Sequence, residues 1–113
     1  VAWSAQALSD MRARGEPVFV DVTADWCITC LANEAAVLFM PSMKAAFAEA
    51  DIPYMIADWT DYDPAIGEFV QSHGRSGIPL YVMYPSGASS EPIILPQLLT
   101  QDMVLEAIEI ARR

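Results

Sequence analysis

Two cysteines, the only two in the chain, stand three residues apart as Cys27-Ile28-Thr29-Cys30. Two thiols at that spacing suit disulfide exchange, in which one thiolate attacks and the second resolves the mixed disulfide. What surrounds them favours that chemistry. An apolar run, Val18-Phe19-Val20-Asp21-Val22, precedes the pair, and helix formers from Leu31 to Ala36 follow it. The thiols therefore belong where a strand covered on both faces hands over to a helix. Cys27 is expected at an exposed first turn, with Cys30 on the same side one turn on. Unpartnered amides at a helix start carry partial positive charge and favour a thiolate. A structural staple is a weaker reading, because closing so short a loop removes roughly 2 kcal/mol of chain entropy. Structural zinc needs about four ligands, and beyond the cysteines there is one histidine, His73. A copper-carrying loop would want a further soft ligand such as Met before the pair, and none stands there.

Further residues stand out for their type at their position. Asp21 interrupts an apolar strand, where an unpaired carboxylate costs several kcal/mol unless it is protonated or partnered. The alternative is a strand end that faces water. Glu34 falls four residues after Cys30, on the same helical face, where an ordinary solvated acid would need no explanation. Trp26, next to Cys27, reads as a partly exposed wall of a docking surface rather than a core ring. His73, before Gly74 near a helix end, reads as a surface residue favourable to the dipole.

The elements that must position these groups follow from periodicity and breakers. Ser4 can cap a helix to about Arg14, with Ala7, Leu8 and Met11 on one face, and Gly15 and Pro17 stop it. Strands are expected at 18–23, 53–59, 79–84 and 92–95, the last two joined through Pro85-Ser86-Gly87 as an antiparallel hairpin. The helix bearing the cysteines should run from about Cys27 to Met40, where Pro41 breaks or kinks it; 42–50 continues it or forms a separate helix. Pro64 opens a helix with Ile66, Phe69 and Val70 inward. Thr100 caps a last one to about Ala111, with Met103, Val104, Ala107, Ile108 and Ala111 facing the core. Helices alternating with strands, closed by a hairpin, predict an α/β fold: a central mixed four-stranded sheet with helices on both faces.

Composition sets the outer limits. At 113 residues the chain suits one domain, and 54% hydrophobic with 19% charged residues excludes a disordered one. Six basic against fifteen acidic residues leave a net charge of −9, which argues against nucleic acid or an anionic membrane surface as partner. No apolar run approaches the roughly 20 residues that span a bilayer. The first residue is Val rather than Met, which reads as a mature or excised end.

Asp21, Ala24-Asp25-Trp26-Cys27 and Gly77-Ile78-Pro79 together resemble the thioredoxin superfamily. More narrowly, 24–30 (ADWCITC) with Asn33-Glu34, then Ala57-Asp58-Trp59-Thr60 and 74–85 (GRSGIPLYVMYP), resemble the C-terminal, periplasmic, thioredoxin-like domain of the DsbD family of thiol:disulfide interchange proteins. The resemblance runs from about Val18 to Pro85. It implies a thioredoxin fold over 1–113 as a single domain excised from a longer, membrane-anchored protein. The implied activity is disulfide reduction through Cys27 and Cys30, with no metal or organic cofactor. Electrons would come from a membrane-embedded domain of the same polypeptide and go to periplasmic thiol proteins, serving processes such as cytochrome c biogenesis. The isolated domain would be monomeric and lie in the periplasm, tethered to the inner membrane.

Residue by residue, the resemblance implies that Asp21 takes and returns the Cys30 proton, and that Glu34 with Asp21 opposes the thiolate of Cys27. It implies a cis bond before Pro79, which would face the cysteines, with the Ile78 backbone free to pair with a substrate strand. Ile28 and Thr29 would tune redox poise. Neither is the histidine usual in strongly oxidising relatives, and that leans towards a reductant. Trp59, Asp61 and Arg75 would have structural roles: packing, capping and a local ion pair. Leu31 departs from the pattern, since many relatives carry Lys there. A free-standing disulfide oxidase or isomerase, a redox-inactive docking module, and a copper-stress relative of the DsbD family all remain open on sequence.

Overall fold

The computed structural model describes residues 1–113. Helix α1 spans Ala5–Ala13, capped by the Ser4 hydroxyl, which accepts the Ala7 amide. Strand β1 covers Val18–Thr23 and is buried along nearly its whole length, as its apolar sequence requires. Helix α2, Ile28–Asn33, runs straight into a π-helical turn at Glu34–Leu38, and α3 follows at Pro41–Glu49. Then come β2 (Tyr54–Asp58), α4 (Pro64–Ser72), β3 (Leu80–Tyr84), β4 (Ile93–Ile94) and α5 (Gln101–Ala111).

The sheet order is β2-β1-β3-β4. β1 runs parallel to β2 and antiparallel to β3, and β3 pairs antiparallel with β4, which is the mixed sheet expected. Alternation along β1 divides the core. Val18, Val20 and Val22 join Leu8, Ile66 and Val70 on the face covered by α1 and α4. Phe19 joins Val37, Leu38, Met43, Tyr81 and Val104 on the face covered by the π turn, α3 and α5. Asp21 and Thr23 share the parity of Phe19, so they point towards the second face.

The helix bearing the cysteines ends at Leu38, close to the expected Met40, and Pro41 breaks it. Pro41 has no amide hydrogen to donate, Met40 turns extended at φ −64° and ψ 140°, and α3 starts afresh with Pro41 in its first turn. The π turn was not foreseen; it brings both Asn33 and Glu34, then Val37 and Leu38, to the interior. β4 is two residues rather than four, because Pro92 and Pro96 bracket it and cannot donate to a ladder. On α5, Val104, Ala107, Ile108 and Ala111 face inward as expected, but Met103 lies one step around the helix and is exposed.

Candidate redox site

The two cysteines are joined as a disulfide, with Cα atoms 5.2 Å apart. Cys27 is the N-cap of α2, and its Sγ accepts the amide of Cys30 at 3.2 Å. That bond is the local form of the helix-start field, directed at the sulfur that would carry negative charge on reduction. Cys27 is not at an exposed position, contrary to the sequence reading. It is 7% exposed, packed with Ala24, Cys30 and the half-buried Ile78, while Cys30 has no exposure at all. Around this small opening stand Ile28, Trp26 and Leu31, all exposed, with Thr29 half-buried.

The loop before the helix is held from across the site. Thr60 Oγ1 accepts the Asp25 amide at 3.0 Å, and Thr60 O accepts the Trp26 indole N–H at 3.1 Å. Trp26 stacks on Tyr62 with ring centres 5.3 Å apart and meets Trp59 at 6.3 Å, so it forms part of an aromatic shelf beside the disulfide. Trp59 thus has the packing role expected of it. Asp61 and Arg75 do not have theirs: neither side chain makes a hydrogen bond or an ion pair, and the cap of α4 is Asp63, whose side chain accepts the Ala65 amide at 2.9 Å.

On the opposite wall the Ile78–Pro79 bond is cis and Pro79 is buried. The carbonyl of Pro79 accepts the Gln97 side-chain amide, Nε2, at 3.4 Å. Neither the amide nor the carbonyl of Ile78 enters a backbone hydrogen bond. His73 is not a plain surface residue either. It lies half-buried against Phe69, 3.3 Å from the Tyr84 hydroxyl, and burial and the Arg75 charge push its pKa down.

Beneath the helix is a buried polar cluster. Asp21 has no exposure, so the water-facing alternative is not realised. Its Oδ2 accepts the Tyr54 hydroxyl at 2.6 Å, and its Oδ1 has no partner. Burial raises its pKa from 3.8 to about 7; the Tyr54 bond opposes that rise and the nearby Glu34 adds to it. Glu34 is likewise buried, at 9% exposure, and accepts the Thr23 hydroxyl at 2.6 Å, rather than standing in solvent. Asn33 donates to the Tyr81 hydroxyl at 2.9 Å and to Gln97 O at 2.7 Å, and accepts the Leu99 amide at 3.2 Å. Cys30, Asn33 and Glu34 share the inward face of the helix by their spacing, and the last two reach Tyr81 and Thr23, which flank Asp21 in the sheet. Tyr54, Tyr81 and Thr23 had no assigned role in the sequence. The pattern that could have found Tyr54 is the parallel pairing of 18–23 with 54–58, which sets Tyr54 on the same face as Phe19 and Asp21.

A thioredoxin-like family model matches residues 1–86. The chain is 31% identical over 81 residues to the thiol:disulfide interchange protein DsbD 1 of Pseudomonas aeruginosa; the match covers 72% of the chain but only 13% of that much longer relative. Among solved structures, the oxidised DsbD C-terminal domain of Neisseria meningitidis superposes with a TM-score of 0.72 at 23% identity, covering 97% of both chains. A thioredoxin from Thermus thermophilus superposes with a TM-score of 0.71 at 20% identity, over 96% of this chain and 82% of that one. These structural likenesses bear on the fold, which matches the one expected.

Proposed function

The chain belongs to the thioredoxin-like family, and on that premise we propose that it is a thiol–disulfide oxidoreductase domain working as a disulfide reductase. The observation that carries this reading is the Cys27–Cys30 bridge at a helix start, with the Cys30 amide on Cys27 Sγ. The redox group is this pair itself.

In the proposed cycle the reduced Cys27 thiolate attacks one sulfur of a partner disulfide. That S–S bond breaks, the first partner sulfur leaves as a thiolate that takes up a proton, and Cys27 is held in a mixed disulfide. Cys30 then gives its proton to Asp21 and attacks Cys27 Sγ. The second partner sulfur leaves as a thiolate that takes up a proton from water, Asp21 returns its proton to water, and the domain is left with the Cys27–Cys30 bridge. Two electrons have passed to the partner. Asp21 suits the proton step because its pKa, near 7, makes both of its forms accessible at neutral pH. Glu34 and Asp21 bring negative charge towards a developing thiolate and restrain Cys27 until a partner arrives. Trp26, Ile28, Thr29, Ile78 and Pro79 form the partner-facing wall. The free backbone groups of Ile78 favour an extended partner segment lying alongside.

In the wider setting we assign the domain to a longer, membrane-anchored protein. A membrane-embedded domain of that protein re-reduces it, and periplasmic thiol proteins receive the electrons. The likeness to a DsbD protein of which the match covers only 13% supports this assignment. No helix of the chain is long and apolar enough to cross a membrane. The reduction potential of the pair, measured by equilibration in glutathione buffers, tests the direction. A value below about −200 mV fits a reductant, whereas one near about −120 mV belongs to an oxidase and would reverse the flow.

A further inference from the structure

We propose that Tyr54 is a positioning residue of the exchange reaction: its hydroxyl occupies Oδ2 of Asp21 and leaves Oδ1 as the one seat for the proton that Cys30 gives up. This rests on the reading that Asp21 takes that proton. Oδ2 accepts the Tyr54 hydroxyl at 2.6 Å, while Oδ1 is buried with no partner. An acceptor left so is unfavourable unless something comes to use it. Burial and the neighbouring carboxylates push the Tyr54 hydroxyl far above its ordinary pKa, so it keeps its proton and stays a donor whenever Asp21 titrates. The two oxygens are therefore not equivalent. One is permanently engaged, and the exchanging proton must arrive at the other.

The groups that face Asp21 are few. Glu34 comes from the π turn, Tyr54 from β2 and Tyr81 from β3, and Cys30 shares the inward face of its helix with Asn33 and Glu34 by spacing. Glu34 accepts the Thr23 hydroxyl and Tyr81 accepts the Asn33 side-chain amide, and neither makes a hydrogen bond to Asp21. Tyr54 alone does. Its ring is fixed independently of the hydroxyl, 5.1 Å from Phe19 and 5.2 Å from Phe47. Removal of the hydroxyl should therefore change the carboxyl group and leave the packing in place.

The test uses reduced protein with Tyr54→Phe, and Tyr54→Leu as a second chain lacking the donor should the first fold poorly. Two quantities are read against pH. One is the titration of the Asp21 carboxyl carbon by NMR. The other is the second phase of thiolate release from 5,5′-dithiobis(2-nitrobenzoate), the phase in which Cys30 resolves the mixed disulfide. Loss of a bond that favours the charged carboxylate should raise the Asp21 midpoint by about one pH unit and carry the second-phase profile up with it. The first phase, the attack by Cys27, serves as the internal reference. An unmoved Asp21 midpoint overturns the proposal, and so does a moved midpoint with an unmoved second phase. Asp21→Asn separates the causes in the latter case. If it too leaves the second phase unchanged, Asp21 is not the proton acceptor; if it alters the second phase, the fault lies with Tyr54.

Discussion

On the proposed cycle, the Asp21 carboxyl group links stability to redox chemistry. Its folded pKa of about 7 lies above its ordinary 3.8, so the folded state binds the proton more tightly than the unfolded chain. Stability from this group is complete below about pH 4 and is lost as pH rises through about 7, a change on the order of 4 kcal/mol. Asp21→Asn removes that dependence. The stability of the wild-type chain relative to this variant, by urea denaturation, should fall by about 3 kcal/mol between pH 5 and pH 8. A constant difference would mean that the carboxyl does not titrate in this range. In the proposed mechanism the same charge also opposes the Cys27 thiolate. With Asp21→Asn and Glu34→Gln combined, reduced Cys27 should react with iodoacetamide at neutral pH about threefold faster or more, the effect of half a pH unit on the thiol. An unchanged rate would remove both acids from the control of the nucleophile. The sequence made Asp21 legible, because an acid inside an apolar run demands a reason. It left Tyr54 silent, since that residue matters only through a register between strands more than thirty residues apart.

Among the elements, breakers and capping residues made most boundaries readable: Ser4, Pro64 and Thr100 stand where the helices start, and β1 has the limits its apolar run implies. The π turn had no such signal. It follows from packing, since one extra residue per turn lets two adjacent pairs, Asn33 with Glu34 and Val37 with Leu38, face the sheet. Asn33 shows what this arrangement holds. Its three hydrogen bonds tie α2 to β3 through Tyr81 and to the segment between β4 and α5 through Gln97 and Leu99. Asn33→Ala leaves these partners without it in a largely dry place, at a cost of about 2–3 kcal/mol. Thermal unfolding of the oxidised protein should show the loss as a clearly lower midpoint. A midpoint within one degree of the wild type would mean that water replaces the amide and that the tie is not structural.

Over the whole molecule, the charge of −9 was plain from the sequence, but where it gathers was not. Asp25, Asp58, Asp61 and Glu34 line a single cavity of about 310 Å³ at the C-terminal end of β1, on the side where the cysteines lie. They come together only because β1 and β2 run parallel and end side by side, at Thr23 and Asp58. Of the six basic residues, Arg14 and Arg112 pair with Glu16 and Glu109, and Arg12 is spent on the carbonyls of Pro85, Gly87 and Ser90. The negative field around the disulfide should therefore sort small disulfides by charge, through encounter rather than through contact. Reduced protein should react with cystamine, which is cationic, about tenfold faster or more than with dithiodipropionate, which is anionic, at low salt. The gap should close as salt rises from about 10 mM to about 1 M, where the screening length falls from about 30 Å to about 3 Å. Stopped-flow rates for the two compounds measure this directly. Equal rates at low salt would mean that the acids lie outside the path of approach, whereas a gap that survives high salt would point to direct recognition at the aromatic shelf.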